Sequence, residues 1–96
     1  MIVNPGAGGG SGGLKVIASG GASVYGSATI NFPRAAQFLI VDGASKNGGK
    51  ANGAVLLRPG QNGGAGANVS FAANGQSVSF SDAAGWGYDM SYIAFG

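Results

Sequence analysis

The stretch Asn68-Val-Ser-Phe-Ala-Ala-Asn-Gly-Gln-Ser-Val-Ser-Phe-Ser-Asp82 is nearly mirror-symmetric about the pair Asn74-Gly75. Both residues of the pair tolerate positive φ, so they favour the tight type I′ turn that joins two antiparallel strands. A two-residue turn sets the register across the hairpin: Ala73 with Gln76, Phe71 with Val78, and Val69 with Phe80. The last two pairs share an apolar face, and the opposite face carries serines at positions 70, 77 and 79. This pattern predicts a hairpin whose apolar face the remainder of the chain must cover.

The remainder of the chain supplies five more segments with the character of strands: residues 14–18, 24–32, 36–41, 54–57 and 90–95. Residues 36–41 are apolar on both faces and are followed by Asp42-Gly43. They predict a central strand that is covered on both sides, with another subunit as one possible cover. Polar or glycine-rich loops are expected over 43–53, 61–68 and 83–88. About seven strands with regularly spaced turn signals predict an all-β fold, a small antiparallel β-sandwich.

Glycine accounts for 21 of the 96 residues, and cysteine is absent. Each ordered glycine loses much backbone entropy on folding, and a chain of this length buries only a modest core. Because no disulfide can compensate, association of identical copies is the obvious source of further stability. Residues 1–13 are expected to form a flexible glycine-rich lead-in or linker, with packed polyglycine II helices as an alternative. Residues 14–96 are expected to form the sandwich domain.

Side chains that could perform catalysis are few. The chain has no histidine, cysteine or glutamate, which excludes Ser-His-Asp and Cys-His triads and an ordinary zinc site. The three aspartates, at positions 42, 82 and 89, are interpreted as solvated turn residues. We therefore predict a protein that is not an enzyme and needs no metal or cofactor. The net charge of +2 is spread along the chain, which argues against nucleic acid as a partner. No apolar run reaches membrane-spanning length, and no signal peptide is recognisable.

Candidate binding residues lie mainly in the predicted loops. Trp86 and Tyr88 alternate with glycine in Gly85-Trp-Gly-Tyr, and exposed aromatic faces on loops are suited to stacking against sugar rings. An alternative role for Trp86 is to plug the end of the core. Tyr25 is predicted to project from the polar face of its strand, toward a receptor, another subunit or solvent. Five further residues are either contacts for acidic polysaccharide or phosphate groups, or ordinary solvated loop positions: Lys46, Asn47, Lys50, Arg58 and Asn62.

In the segment Thr29-Ile-Asn-Phe-Pro-Arg-Ala-Ala-Gln-Phe-Leu-Ile-Val41, Phe-Pro and a short turn separate two strands. The chain also has the aromatic-rich ending Trp86-Gly-Tyr-Asp-Met-Ser-Tyr-Ile-Ala-Phe-Gly96. These two segments resemble the C-terminal domains that form the distal tips of tailed-bacteriophage tail fibres. The resemblance implies a homotrimeric β-sandwich on an upstream fibre shaft. It implies a receptor-binding protein of the virion that is assembled in the host cytoplasm. Such a tip adsorbs, without catalysis, to polysaccharide or outer-membrane protein outside the bacterial cell.

Other functions remain open at this point. The chain begins with Met1 and carries no shaft, so it is expected to be either an excised tip or a small separate virion protein. A structural virion or trimerisation module without its own receptor fits the same pattern. A stand-alone carbohydrate-binding module does so as well, and phage adhesins with glycine-rich distal motifs form a second family of similar character. The missing histidine, cysteine and glutamate argue against a small hydrolase.

Overall fold

A computed structural model describes residues 14–47, 53–83 and 85–96; the lead-in at 1–13 and Lys50 lie outside the described residues. The described chain forms an all-β sandwich of two antiparallel four-stranded sheets, as predicted, with eight strands rather than about seven. The strands are β1 Val16–Val24, β2 Ser27–Asn31, β3 Phe38–Ser45, β4 Val55–Leu57, β5 Asn62–Ala65, β6 Ala67–Phe71, β7 Ser77–Ser81 and β8 Tyr88–Phe95. Sheet I has the order β1-β8-β3-β4, and sheet II has the order β2-β7-β6-β5.

The core lies between the two sheets, where the alternating apolar residues of each strand face inward. Its largest fully buried side chains are Phe71, Phe80, Leu39, Met90, Val24, Val41, Val69 and Val78. The ring of Phe32 joins the two layers, because its centroid lies 6.2 Å from that of Phe71 in sheet II and 6.1 Å from that of Tyr92 in sheet I. Each fully buried side chain of this size contributes about 1.5–3 kcal/mol. The apolar face of the predicted hairpin is therefore covered by sheet I of the same chain.

The hairpin of β6 and β7 has the predicted register, with Phe71 opposite Val78 and Val69 opposite Phe80. The predicted type I′ turn is wrong. Among the described residues only glycines have positive φ, so Asn74 has negative φ and Gly75 alone has positive φ, +73°. The Gly75 N–H donates to the Ala72 carbonyl oxygen at 2.9 Å, as expected when a type I turn precedes a left-handed glycine. The Asn74 side chain instead accepts a hydrogen bond from the Gln76 N–H at 2.9 Å.

The predicted strand over residues 24–32 is divided between the two sheets. Val24 ends β1 in sheet I, and Ser27 begins β2 in sheet II. Tyr25 therefore lies in the turn between the sheets rather than on the polar face of a strand. The predicted segments 14–18 and 24–32 are not separated by a break, because β1 continues through Gly20-Gly21 and pairs with β8 as far as Val24. Continuous pairing with a long central strand outweighs the weak strand preference of glycine.

Strand β3 is central, as predicted, with β8 on one side and β4 on the other. It does not end at Asp42-Gly43 but continues to Ser45. Gly43 lies inside the sandwich, where an added Cβ would overlap the Ala65 carbonyl oxygen, so only glycine fits this close approach. The predicted glycine-rich loop over 61–68 is also a structured region, because it forms β5 and the beginning of β6.

Candidate functional site

One end of the sandwich gathers three of the residues that the sequence singled out. Tyr25 lies in the turn between β1 and β2, Lys46 follows β3, and Trp86 lies in the loop before β8. The side chain of Trp86 is 60% exposed and that of Tyr25 is 65% exposed. At this exposure Trp86 does not plug the end of the core. We call Tyr25, Lys46, Trp86 and Asp89 the loop cluster.

The loop that carries Trp86 is organised by Asp82. This carboxylate is only 5% exposed, and the interpretation of Asp82 as a solvated turn residue is therefore wrong. Its Oδ2 accepts a hydrogen bond from the Gly87 N–H at 2.8 Å, and its Oδ1 accepts one from the Gly85 N–H at 3.2 Å. Hydrogen bonds from backbone donors to a buried carboxylate are strong, and they offset the cost of removing its charge from water. Asp82 thereby holds the backbone on both sides of Trp86.

Gly87 allows the Tyr25 ring to lie against this loop. An added Cβ at Gly87 would stand 2.5 Å from Tyr25 Cε1 and 3.0 Å from Lys46 Cδ, and the φ of Gly87 is +88°. The Lys46 N–H also donates to the Gly87 carbonyl oxygen at 3.1 Å. Three separate loops therefore meet at one glycine. Trp86 and Tyr25 consequently belong to the same small region of the surface.

Lys46 has two interaction partners within the cluster. Its ammonium donates a hydrogen bond to Asp89 Oδ1 at 2.5 Å and lies 5.4 Å from the centroid of the Tyr25 ring. The hydrogen bond to Asp89 is the main cause that raises the pKa of Lys46 above its ordinary value, and the charge of Asp89 adds to it. A cation above an aromatic face is a favourable contact that also restrains both side chains. The positive charge of Lys46 is thus matched within the protein.

The other predicted site residues are dispersed. Asn47 is exposed directly after Lys46, and Tyr88 begins β8 and packs partly against the core. Arg58 lies at the opposite end of the molecule, where its guanidinium carbon is 5.2 Å from the centroid of the Phe38 ring. Asn62 lies on the outer face of sheet II. The structure thus brings only part of the predicted set to the loop cluster.

Sequence reasoning missed the roles of Asp82, Gly87 and Asp89. The available signal was the spacing of Asp82 three residues before Gly85 and five before Gly87, which fits an aspartate that binds the amides of its own loop. Asp89 gave no comparable signal, because its partner Lys46 is 43 residues away in the sequence.

The outer face of sheet II is polar and carries no charged side chain among the described residues of its strands. Thr29 and Ser79 share a hydrogen bond between their hydroxyl oxygens at 3.1 Å. A shallow groove of about 360 Å³ crosses this face, and it is lined by Asn62, Gly63, Asn68, Val69, Ser70, Ser79 and Ser81. The groove contains no aromatic side chain, so it lacks the stacking surface that the loop cluster provides.

Within the described residues, no group of three or more Asp, Glu, His or Cys side chains is placed to hold a metal ion. The same part of the chain contains no helix with the length and apolarity that crossing a membrane requires. Comparison of the chain with protein-family models, curated proteins and solved structures finds no match.

Proposed function

We propose that this protein binds glycans of the bacterial surface through the loop cluster, as the receptor-binding tip of a phage tail fibre. The observation that carries the proposal is the exposure of Trp86 and Tyr25 on neighbouring loops, with the Trp86 loop held by a buried carboxylate and the Tyr25 ring lying against Gly87 of that loop. Large exposed aromatic side chains are costly to leave in water, and they are frequent centres of recognition when they are fixed in place. A rigid sandwich that presents such residues on its end loops is a common arrangement for binding.

The chemistry of the cluster favours stacking over ion pairing. Because Lys46 is already paired with Asp89, the four residues of the cluster carry no net charge. A neutral sugar ring can place its apolar face on Trp86 or Tyr25, while its hydroxyl groups reach the exposed carboxylate of Asp89. The cluster is therefore better suited to neutral glycans than to the acidic polysaccharide that the basic residues alone had indicated.

The placement on a phage particle rests on the two segments that resemble tail-fibre tips. The first segment, residues 29–41, contains the last three residues of β2 and the first half of β3, and the second contains all of β8. These strands belong to the scaffold and Trp86 belongs to the loop that enters β8. No catalytic step is part of the proposal, since the chain has no histidine, cysteine or glutamate.

A binding measurement with matched variants tests the site. We expect Trp86→Ala and Tyr25→Ala each to weaken retention on a neutral-glycan array and adsorption to bacterial cells by about tenfold or more. Leu14→Ala is the control, because Leu14 is also apolar and exposed, at 46%, but lies outside the loop cluster. All three variants should keep the wild-type melting temperature within a few degrees, since exposed substitutions usually change stability by about 0.5 kcal/mol or less.

Two outcomes would contradict the proposal. Unchanged glycan and cell binding by both aromatic variants would remove the loop cluster as the site. Absence of binding to any glycan or cell by the wild-type protein would favour a structural virion module without a receptor.

A further inference from the structure

The groove on the outer face of sheet II is lined by polar side chains that are not committed to partners of their own. Asn62, Asn68, Ser70 and Ser81 are exposed, and their side chains make no hydrogen bond within the described part of the chain. An asparagine amide offers donors and an acceptor, and a serine hydroxyl offers both as well. The groove therefore presents an uncharged array of donors and acceptors on a backbone that the sheet holds in place.

The shape of the groove follows from the strands that form it. Because Val69 and Phe80 point into the core, the alternate residues of β6 and β7 point outward with short side chains. The edge strand β5 has Gly64 opposite Asn68, and an added Cβ at Gly64 would meet no atom within 4 Å. The missing side chain at this edge and the small serines of the middle strands leave the surface concave.

The groove begins beside the loop cluster. Ser81 directly precedes Asp82, whose N–H donates to the Gly26 carbonyl oxygen at 2.6 Å in the turn that carries Tyr25. Asn68 pairs with Ser81 on the next strand. Measured from Tyr25, Asn68 lies two strands to the side at ~4.8 Å each and two residues along at ~3.3 Å each, or about 12 Å away. A single sugar ring cannot span this distance, whereas a short chain of sugars can.

We propose that the groove is a subsite for the same neutral glycan that the loop cluster binds, so that the protein recognises an extended oligosaccharide rather than a single sugar. The inference rests on the proposed glycan binding by the loop cluster and defines the ligand more closely. One sugar stacks on Trp86 or Tyr25. The sugars that follow place their hydroxyl groups against Asn68, Ser70 and Asn62.

The lining of the groove selects an uncharged ligand that is rich in hydroxyl groups. An anionic ligand would find no positive side chain on the described strands of this face to offset its loss of water. An apolar ligand would cover the amides and hydroxyls and leave them without partners. Sugar hydroxyls both donate and accept, so they replace bound water at these groups in kind. Asn62, which the sequence grouped with contacts for acidic polysaccharide, is therefore assigned to a neutral one.

The groove stays accessible in an assembly that covers apolar surface. The outer face of sheet I carries the exposed aliphatic side chains Leu56, Ile40 and Ile93, which lie opposite one another in register. Removal of apolar surface from water is the main driving force of association. A homotrimer that covers this face leaves the groove, on the other side of the sandwich, open to solvent.

Calorimetric titration with oligosaccharides of increasing length tests the inference. The probes are cello-oligosaccharides, malto-oligosaccharides and oligomers of N-acetylglucosamine, each from the disaccharide to the hexasaccharide. For the wild-type protein, we expect the affinity to rise by about tenfold or more from disaccharide to hexasaccharide in at least one series, because only the longer chain reaches the groove.

Matched substitutions separate the groove from the loop cluster. Asn68→Leu should weaken hexasaccharide binding by about two- to tenfold and leave disaccharide binding unchanged, because the lost hydrogen bonds form only with the longer chain. Asn31→Leu is the control, because Asn31 is also an exposed asparagine on a strand of sheet II but does not line the groove. Both variants should melt within a few degrees of the wild type. Trp86→Ala should weaken the binding of every length.

The outcomes distinguish this inference from the proposed function. Equal hexasaccharide affinity of Asn68→Leu and Asn31→Leu would overturn the groove as a subsite, and weaker binding by Trp86→Ala in the same series would leave the loop cluster as the site. Weaker binding by Asn68→Leu with unchanged binding by Trp86→Ala would support the groove and remove the loop cluster. A wild-type affinity that does not rise with length in any series would overturn the extended ligand, while cell adsorption of Trp86→Ala still tests the loop cluster.

Discussion

Substitution of Gly75 by alanine should be among the most damaging single changes in the β6–β7 hairpin. Gly75 has a φ of +73°, and an added Cβ would stand 2.5 Å from the Ala36 carbonyl oxygen. The left-handed conformation costs an L-residue about 1 kcal/mol or somewhat more, and relief of the overlap by a backbone shift costs about 1–3 kcal/mol. The hydrogen bond from the Ala36 N–H to the Gly75 carbonyl oxygen, 2.8 Å long, would weaken with that shift. Alanine also lowers the conformational entropy of the unfolded chain, which offsets about 0.4–1 kcal/mol of this loss of stability.

The expected net loss for Gly75→Ala is about 3 kcal/mol, which lowers the melting temperature by roughly 12–24 °C in a domain of this size. Gly60→Ala is the matched control, because Gly60 has a φ of +87° but its added Cβ would meet no atom closer than 3.9 Å. That variant should lose only about 1 kcal/mol, the cost of the left-handed conformation alone. Urea unfolding at about 1 µM protein measures both values without a contribution from association. If the two variants lose the same free energy within about 0.5 kcal/mol, the close approach to Ala36 contributes nothing and the reasoning is refuted.

Two further predictions concern the loop cluster. Asp82→Ala removes the side-chain acceptor of the Gly87 N–H and leaves the Gly85 N–H to the Asp82 backbone carbonyl oxygen, 3.1 Å away. We expect a loss of about 1–3 kcal/mol and altered fluorescence of the single tryptophan, and a melting curve like that of the wild type would contradict this role. The hydrogen bond to Asp89 raises the pKa of Lys46 above 10.5 in the folded protein. The stabilisation that this pair contributes is therefore fully present below pH 10.5, and it is lost as the pH rises through the higher pKa of the folded state. The difference in unfolding free energy between wild type and Lys46→Met should therefore shrink between pH 9 and about pH 12, and a constant difference would show that the ammonium charge is irrelevant.

The pattern of side chains along the sequence was sufficient to predict strands and their register wherever apolar and polar residues alternate regularly. The register of β6 with β7 followed from the spacing about Asn74-Gly75, and it survives a change of turn type because both turns pair Phe71 with Val78. The two-sided apolarity of residues 36–41 also predicted correctly that β3 is a central strand. The second apolar face of β3 is formed by side chains that point away from the core, such as Ile40. A strand with a polar outer face would have only one apolar face.

The glycine-rich segments could not be assigned in the same way. Glycine has no side chain to show which face is buried, so β5 and the Gly20-Gly21 part of β1 looked like loops. Both became strands because a neighbouring strand supplies their hydrogen bonds. The burial of Gly43 against Ala65 could not be predicted from the sequence either, because it depends on the distance between the two sheets rather than on a local conformational preference.

In the candidate site, too, the residue types could be recognised from the sequence, but the contacts between them could not. The exposed loop aromatics Trp86 and Tyr25 were recognisable by type, but their meeting at Gly87 depends on three loops that are distant in sequence. The pairing of Lys46 with Asp89 likewise arises only when β3 and β8 lie side by side.

The sequence by itself determined the strand character of this protein, the register of its hairpin and the absence of the usual catalytic side chains. Those properties depend on residue type and on alternation between neighbours, which act over a few residues. Only the tertiary structure decided which sheet each strand joins, which carboxylate is buried and which aromatic residues share a surface. These features require contacts between distant segments, and the free energy of such contacts depends on packing that no single segment contains.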